Sequence, residues 1–465
     1  MRLKNASVIL WVVITAVAPT IAAEPATPAL LVENIVPVDP VLGALPRQDV
    51  RIEHGRITAM GELPSDPDAN TIDGSNRWLI PGLWDMHVHV TYDVALLDSM
   101  AKAFVDHGIT RVRDTGGPVQ ALQQIATRWN APTGDAPYLY YAGPLLDGNP
   151  VVYDGSVGPE VGVDVGTAAA ERVAGLVAAG ISFIKIYEMV SPEQFHALVQ
   201  AARAHDLPIA AHIPLRMNVE VAATAVDSLE HLRNLELGCS NDRDQLLRER
   251  RKEMDQHEAL AGMALRSRIH GQQRDQAIAN EDASVCDALI ARLRDTIQVP
   301  TLRLNAMTQH PPFAEADWEQ ALSFLPEDVA HAWREAPRQM DPVTYRAHGA
   351  WSLAMIARLH RAGVPIGAGT DTPIGWAVPG HSLHRELELL VTAGLSPRVA
   401  LAAATTVPAS FFGMDATLGR LQPDYEADAL ILTANPLEDI RNTRRITHVI
   451  RQGRLLRKPL TDARP

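Results

Sequence analysis

Two histidines one residue apart, His87 and His89, close the apolar run Leu79-Ile-Pro-Gly-Leu-Trp-Asp-Met-His-Val-His-Val90. Such a run reads as a buried strand, and period-2 geometry sends alternate side chains to one side, so both imidazoles face the same way. Neutral imidazole is the commonest protein metal ligand, and two at this spacing can share one ion. Alone the pair decides nothing, because a strand-end histidine can equally satisfy a backbone group. Four further groups follow at or near strand ends: Lys185 in Ile184-Lys-Ile-Tyr187, His212 after Pro208-Ile-Ala-Ala, His231 after Asp227-Ser-Leu-Glu, and Asp371 after Pro365-Ile-Gly-Ala-Gly-Thr. Brought to one rim, they offer a site for divalent cations. Bound ions lower the pKa of water from about 15.7 to about 7, and paired ions sit about 3.5–4 Å apart. Two ions also need a bridging anion. A protonated lysine has only donors, but burial and nearby cations depress its pKa, and the neutral amine reacts with carbon dioxide to give an anionic carbamate.

The elements that must position these groups alternate. Strands are predicted near 79–90, 108–115, 138–143, 182–187, 208–212, 227–231, 299–304 and 365–371, most of them followed by a helix. Ser191-Pro-Glu-Gln194 starts one such helix with a capping box, and Gly180 stops another. Eight strands with intervening helices predict an α/β fold, a (β/α)₈ TIM-like barrel whose site lies at the C-terminal strand ends. In that frame the six groups converge. Short alternating strands in 24–80 and again in 418–465 predict a small β-sandwich domain built from both chain ends around the barrel, 81–417. Two stretches interrupt the barrel. Residues 241–298 are charged and expected to be helical, with Arg248-Glu-Arg-Arg-Lys-Glu a solvated face; 305–341 is Pro-punctuated and reads as an insertion of lid type.

Composition narrows the class. A net charge of -13 argues against a nucleic-acid partner, which calls for a basic surface. Arg2 and Lys4 precede the apolar run Val8 to Ala18, followed by Thr20-Ile-Ala-Ala23. This is the plan of a signal peptide over 1–23, with a run too short for a span of about 20 residues. A mature protein that is exported, periplasmic or secreted, without a stable membrane span is expected, with a retained anchor as the alternative. Cys239 and Cys286 could pair in an oxidising compartment, but two cysteines make no framework, and neither is expected to have a chemical role.

The strand-end motifs, with Ser-Leu-Glu-His, Gly-Thr-Asp-Thr, Leu383-His-Arg-Glu-Leu, Ala402-Ala-Ala-Thr-Thr-Val-Pro-Ala and Leu418-Gly-Arg-Leu-Gln-Pro-Asp-Tyr-Glu-Ala-Asp-Ala-Leu, resemble the metal-dependent amidohydrolase superfamily. Within it the chain resembles the imidazolonepropionase-like branch that includes Xaa-Pro dipeptidases (prolidases). The resemblance covers nearly everything from Leu30 to Arg454 except the two insertions. It implies two zinc ions, the more buried on His87, His89 and Asp371 and the more exposed on His212 and His231, bridged by carboxylated Lys185 and a hydroxide. Asp371 would take the proton of that hydroxide and pass it to the leaving amine. Tyr187 is similar to a tyrosine that contacts the substrate carboxylate or carbonyl, with a packed barrel tyrosine as the alternative. The implied substrate is a small amide: an Xaa-Pro or other dipeptide, or an N-acyl amino acid. His384 follows the eighth strand and is a candidate substrate contact, with helix capping as the alternative. Relatives often carry Gly-Gly-His after the third strand, where this chain has Asp147-Gly-Asn-Pro-Val-Val-Tyr-Asp-Gly. Three alternatives remain: a mononuclear cyclic-amide hydrolase, a non-catalytic ligand-binding relative, and phosphotriester hydrolysis. A homo-oligomer is compatible with all of them.

Overall fold

The computed structural model describes residues 29–155, 157–158, 160–256, 260–335 and 346–457; the expected signal segment lies outside them. Both chain ends contribute to one sheet. Its order is Arg454–Arg457, Ile446–Arg451, Ala429–Leu432, Trp78–Pro81, Leu30–Asp39, Gln48–Glu53, Arg56–Gly61, with Gly43–Ala44 and Asn70–Asp73 also on Leu30–Asp39. The ends meet where Trp78–Pro81 runs antiparallel to Ala429–Leu432. Val32, Val50, Ile52, Leu79, Ile431 and Ile450 form its own apolar core, as their alternation with polar residues requires. One residue beyond Pro81 the chain enters Leu83–Val88, so the sheet leads straight into the strand that carries the first two histidines. Arg111 clamps the two parts, its Nε donating to Asp428 at 2.7 Å.

The middle of the chain is parallel. Leu83–Val88, Ile109–Asp114 and Tyr138–Tyr141 form one sheet. Gly162–Asp164, Leu145–Asp147, Ile184–Ile186, Ile209–Ala211, Ser228–Glu230 and Ile297–Val299 form another, in that order. Apart from the edge strand Gly162–Asp164, these strands are almost wholly buried. The segment expected as the eighth strand joins the two sheets by isolated bridges rather than a ladder. On one side Gly367 N donates to Gln298 O at 2.9 Å; on the other Met86 N donates to Ala368 O at 2.9 Å and His89 N to Thr372 O at 2.8 Å. Gly369 permits the approach, since a Cβ there would lie 2.8 Å from the Cβ of His87.

Several local expectations change. The strand expected over 299–304 is Ile297–Val299, and the chain turns at Thr301 (φ 46°) into the helix Leu302–Asn305. Pro300 has no N–H for a ladder, and the amides of Leu302 and Arg303 both donate to Glu386 at 2.8 Å. Cys239 and Cys286, which the sequence left free to pair, form a disulfide that ties the helix Leu235–Cys239 to Ala283–Ala291. The first insertion is helical, over Arg243–Gln256, Gly262–Ala279 and Ala283–Ala291. Its charged first helix is not wholly solvated: Arg250 is buried and donates to Gln273 and Asn234. In the second insertion the described part carries the short helices Trp318–Leu322 and Glu327–Glu335. No described helix is long and apolar enough to cross a membrane.

Candidate active site

At the C-terminal ends of the parallel strands lies a cavity of about 350 Å³. His87, His89, Lys185, Tyr187, His212, His231 and Asp371 all line it. Nε2 of His89 and Nε2 of His87 stand 3.0 and 3.2 Å from the same Asp371 oxygen. Donor atoms of these three residues lie within 4.8 Å of one another. The His231 ring stands 4.5 Å from that of His87 and 4.9 Å from that of His212, centroid to centroid, and Tyr187 packs 4.4 Å from His212. His231 and Asp371 both adopt left-handed backbone, at φ 64° and 62°. Strain of this kind concentrates where the surrounding fold dictates a side chain's direction.

Each imidazole is held from behind by its Nδ1. His87 meets Glu230 at 2.6 Å, His89 the Gly116 carbonyl at 3.1 Å, His212 Glu188 at 2.9 Å, and His231 the Thr301 hydroxyl at 2.6 Å. A ring whose Nδ1 is engaged offers Nε2 to an ion in a fixed tautomer and orientation. Burial, reinforced by the charge of Lys185, pushes His212 down to about 3. Burial, with His87, His212 and Lys185 adding to it, lowers His231 well below the ordinary histidine value. Both rings are therefore neutral, the state that ligates. Burial opposes ionisation of Asp371, but the His231 ring beside it and the hydrogen bonds from His87 and His89 outweigh it and hold the carboxyl well below the usual carboxylate range. Lys185 is 1% exposed, and its Nζ has no hydrogen-bond partner. Burial lowers its pKa to about 8, with Glu230 opposing and Arg113 assisting. Four imidazoles, a carboxylate and an orphaned buried amine suit a divalent cation far better than they suit one another.

The residues behind the rings yield a first prediction. Glu230 is fully buried between His87 and Arg113, whose terminal nitrogen donates to it at 2.8 Å. Glu230→Gln is expected to lower metal affinity about 10–100-fold, the usual cost of losing a ligand's outer partner. Metal titration against a competing chelator measures this; unchanged affinity would reduce Glu230 to a packing residue.

The family model described as the amidohydrolase family matches residues 78–456, most of the chain and all of this cavity's strand ends. The chain belongs to the amidohydrolase family. Among curated relatives, this amidohydrolase is 39% identical to an ochratoxinase of Aspergillus niger over 104 residues, 21% of this chain and 21% of that protein. It is 29% identical to an adenine deaminase of Clostridium perfringens over 85 residues, 18% of this chain and 15% of the relative. It thus spans about a fifth or less of the length of these curated relatives. Among solved structures, a Xaa-Pro dipeptidase with methionine bound in its active site aligns at TM-score 0.65 and 18% identity, over 92% of this chain and 99% of that one. The A. niger ochratoxinase aligns at TM-score 0.64 and 19% identity, over 95% and 99%. At such identities the likeness speaks to the fold alone, an α/β architecture with an additional domain.

One candidate lies elsewhere in the amidohydrolase. The ring nitrogens of His384 are engaged by the Thr443 hydroxyl at 2.9 Å and the His107 carbonyl at 3.0 Å, and the residue does not line the cavity. It sits in the first turn of the helix His381–Thr392 and ties that helix to its neighbours, so it is a structural histidine and not a substrate contact. Other residues of the cavity wall were not singled out from the sequence: Tyr153, Arg233, Arg266, His270 and His348. Tyr153 comes from the loop that stands where relatives carry Gly-Gly-His, and its ring centre is 5.8 Å from that of Tyr187.

Proposed function

We propose that this amidohydrolase is a metal-dependent hydrolase of the C–N bond in a small amide, an Xaa-Pro or other dipeptide or an N-acyl amino acid. The observation that supports it is the set of four imidazoles, each held at Nδ1 and turned to one cavity with Lys185 and Asp371. His87, His89 and Asp371 would hold one zinc ion, His212 and His231 a second, and Lys185 in carboxylated form would bridge them. Bound cations supply Lewis-acid polarisation of the carbonyl and a lowered pKa for water. Asp371, ionised and directed into the cavity, accepts the proton of the attacking water and delivers it to the leaving nitrogen. Tyr187 flanks His212 and orients the substrate's carbonyl or carboxylate end. The parallel strands, with the bridges made by residues 365–372, would form a closed (β/α)₈ barrel. An N-terminus of signal type and a disulfide between Cys239 and Cys286 support an exported, periplasmic or secreted protein.

A mononuclear reading has one observation in its favour: His87, His89 and Asp371 form a tight donor group that His212 and His231 do not join. The experiment is a hydrolysis screen of Xaa-Pro, other dipeptides and N-acyl amino acids with zinc and bicarbonate, alongside metal analysis. Release of free amine with two ions per chain is expected. One tightly held ion would favour the mononuclear enzyme, and no turnover of any substrate by metal-loaded protein would favour a binding role.

A further inference from the structure

The chain from Thr370 to Trp376, which carries Asp371, belongs to none of the described strands or helices. Along it Asp371, Gly375 and Trp376 take left-handed φ values of 62°, 62° and 57°. Conformations of this kind persist only where the surroundings over-determine them. Here the backbone carbonyls are met by one side chain from another element. Arg303, in the helix Leu302–Asn305, donates from Nη1 to the carbonyls of Thr370 at 3.2 Å and Ile374 at 2.7 Å, and from Nη2 to the carbonyl of Gly375. The peptide unit before Asp371 is thereby pinned at both polar atoms, its carbonyl by Arg303 and its N–H by the His87 carbonyl at 2.7 Å. After Asp371 the turn closes with Ile374 N donating to the Asp371 carbonyl at 2.8 Å, and the carbonyl of Ile374 returns to Arg303. Buried charges are ordinarily paired with opposite charge, but this guanidinium, in a residue 4% exposed, directs these donors to main chain. The helix that presents it is itself fixed. Glu386 accepts from the N–H groups of Leu302 and Arg303, while Thr301 and Asn305 hold the His231 ring at 2.6 Å and the His231 carbonyl at 2.7 Å. Leu304, Asn305 and Ile374 line the cavity, and Arg303 does not.

We infer that Arg303 is a positioning residue of the reaction: from outside the cavity its guanidinium fixes the peptide planes on either side of Asp371, and so the direction in which that carboxylate enters. The inference rests on the role given to Asp371 above and adds to it a residue that does not meet the substrate. A planar fork of donors suits the task, since one rigid group reaches three carbonyls at once, whereas an ammonium is a point charge on a flexible stem. A guanidinium also keeps its charge at every working pH. Without it three carbonyls lose this donor, the buried one of Thr370 among them, and the left-handed turn is free to relax toward commoner φ values.

The experiment compares wild type, Arg303→Lys and Arg303→Met, with Asp371→Asn as the reference. Hydrogen exchange on metal-free protein follows residues 370–376, where the bonded amides of Asp371 and Ile374 are the reporters. Arg303→Met is expected to speed their exchange at least about tenfold through local opening, with Arg303→Lys, which keeps the charge and loses the fork, between it and wild type. Cobalt(II) is then titrated as the probe. Its affinity is expected to fall about 10–100-fold in Arg303→Met, and its visible bands to move toward those of Asp371→Asn. A loss of stability alone would not reproduce that spectrum. Wild-type exchange in both variants overturns the inference. So does faster exchange with unchanged cobalt affinity and bands, which would leave Arg303 a packing residue of the loop. Should Arg303→Met lose its thermal transition, Arg303→Lys decides by the same readings, with exchange at least about threefold faster expected. A wild type that binds no cobalt overturns the metal-dependent reading instead, and the exchange rates still decide whether Arg303 holds the Asp371 turn.

Discussion

Asp371→Asn is expected to lower kcat by about 10³–10⁴-fold, at the upper end of what a positioned proton-transfer group contributes. The substitution is nearly isosteric and keeps the backbone contact from Asp371 N to the His87 carbonyl at 2.7 Å. It also suits the backbone: Asp371 sits at φ 62°, a region asparagine enters more readily than most residues. What changes is chemistry. The carboxylate oxygen between Nε2 of His87 and Nε2 of His89 would serve as anionic ligand and proton acceptor in the proposed reaction, and an amide is neither at neutral pH. Because its neighbours hold Asp371 well below the usual carboxylate range, the wild-type group is ionised at neutral pH and able to accept from the start of the cycle. Turnover and metal content measured on the same sample separate the two roles. Loss of kcat with zinc retained assigns proton transfer to Asp371; loss of both assigns ligation first. Wild-type turnover would remove Asp371 from the reaction.

The inner ring of the site was legible in the sequence because its members stand at or near strand ends, where period-2 geometry and chain order fix which way a side chain can point. His87 and His89 share a strand face, and His212 and His231 each follow a buried three-residue strand. The ring behind was not legible, although Glu188 and Glu230 sit beside residues that were singled out. Glu230 precedes His231 but reaches across to His87, 143 positions away, and no local pattern encodes that contact. Glu188 serves groups from three elements, among them His270 on the inserted helix. That helix was expected as a helix and nothing more, since its cavity face is polar and gives no stripe of apolar residues to orient it. His384 shows the converse: a histidine after the last strand carries the same local signal as a ligand, and only the Thr443 and His107 contacts reveal a structural role. The disulfide joins cysteines 47 residues apart through the packing of two helices, and spacing alone does not specify it. The sheet at the chain ends was readable as alternation, but its pairing of Trp78–Pro81 with Ala429–Leu432 depends on where the parallel strands between them leave the two ends.

Lys185→Met is expected to cost about 10³-fold or more in kcat, the several kcal/mol a bound cation supplies to a developing charge, and to reduce the metal bound per chain. Nζ of Lys185 is buried and has no hydrogen-bond partner, and its strand Ile184–Ile186 is separated from the strand of Glu230 by Ile209–Ala211, which pairs with both. A buried ammonium without acceptors is costly, and the protein answers by depressing its pKa to about 8 rather than by pairing it. The neutral amine fraction therefore grows as pH rises through about 8, and that fraction alone reacts with carbon dioxide. Under the proposed carboxylation, addition would form an N–C bond and release one proton, converting an orphaned donor into an anion suited to hold a cation. Bicarbonate is accordingly expected to activate zinc-loaded apoprotein more at pH 8.5 than at pH 6.5, with the gain absent in Lys185→Met. Carbon-13 labelling makes the modification visible as a carbamate resonance that the variant lacks. Methionine keeps the length and apolar stem of the side chain, so lost activity with an intact thermal transition reports the missing bridge and not a cavity. A variant that binds one ion and turns over at the wild-type rate, indifferent to bicarbonate, would mean that the lysine is a spectator and that His87, His89 and Asp371 suffice around a single cation.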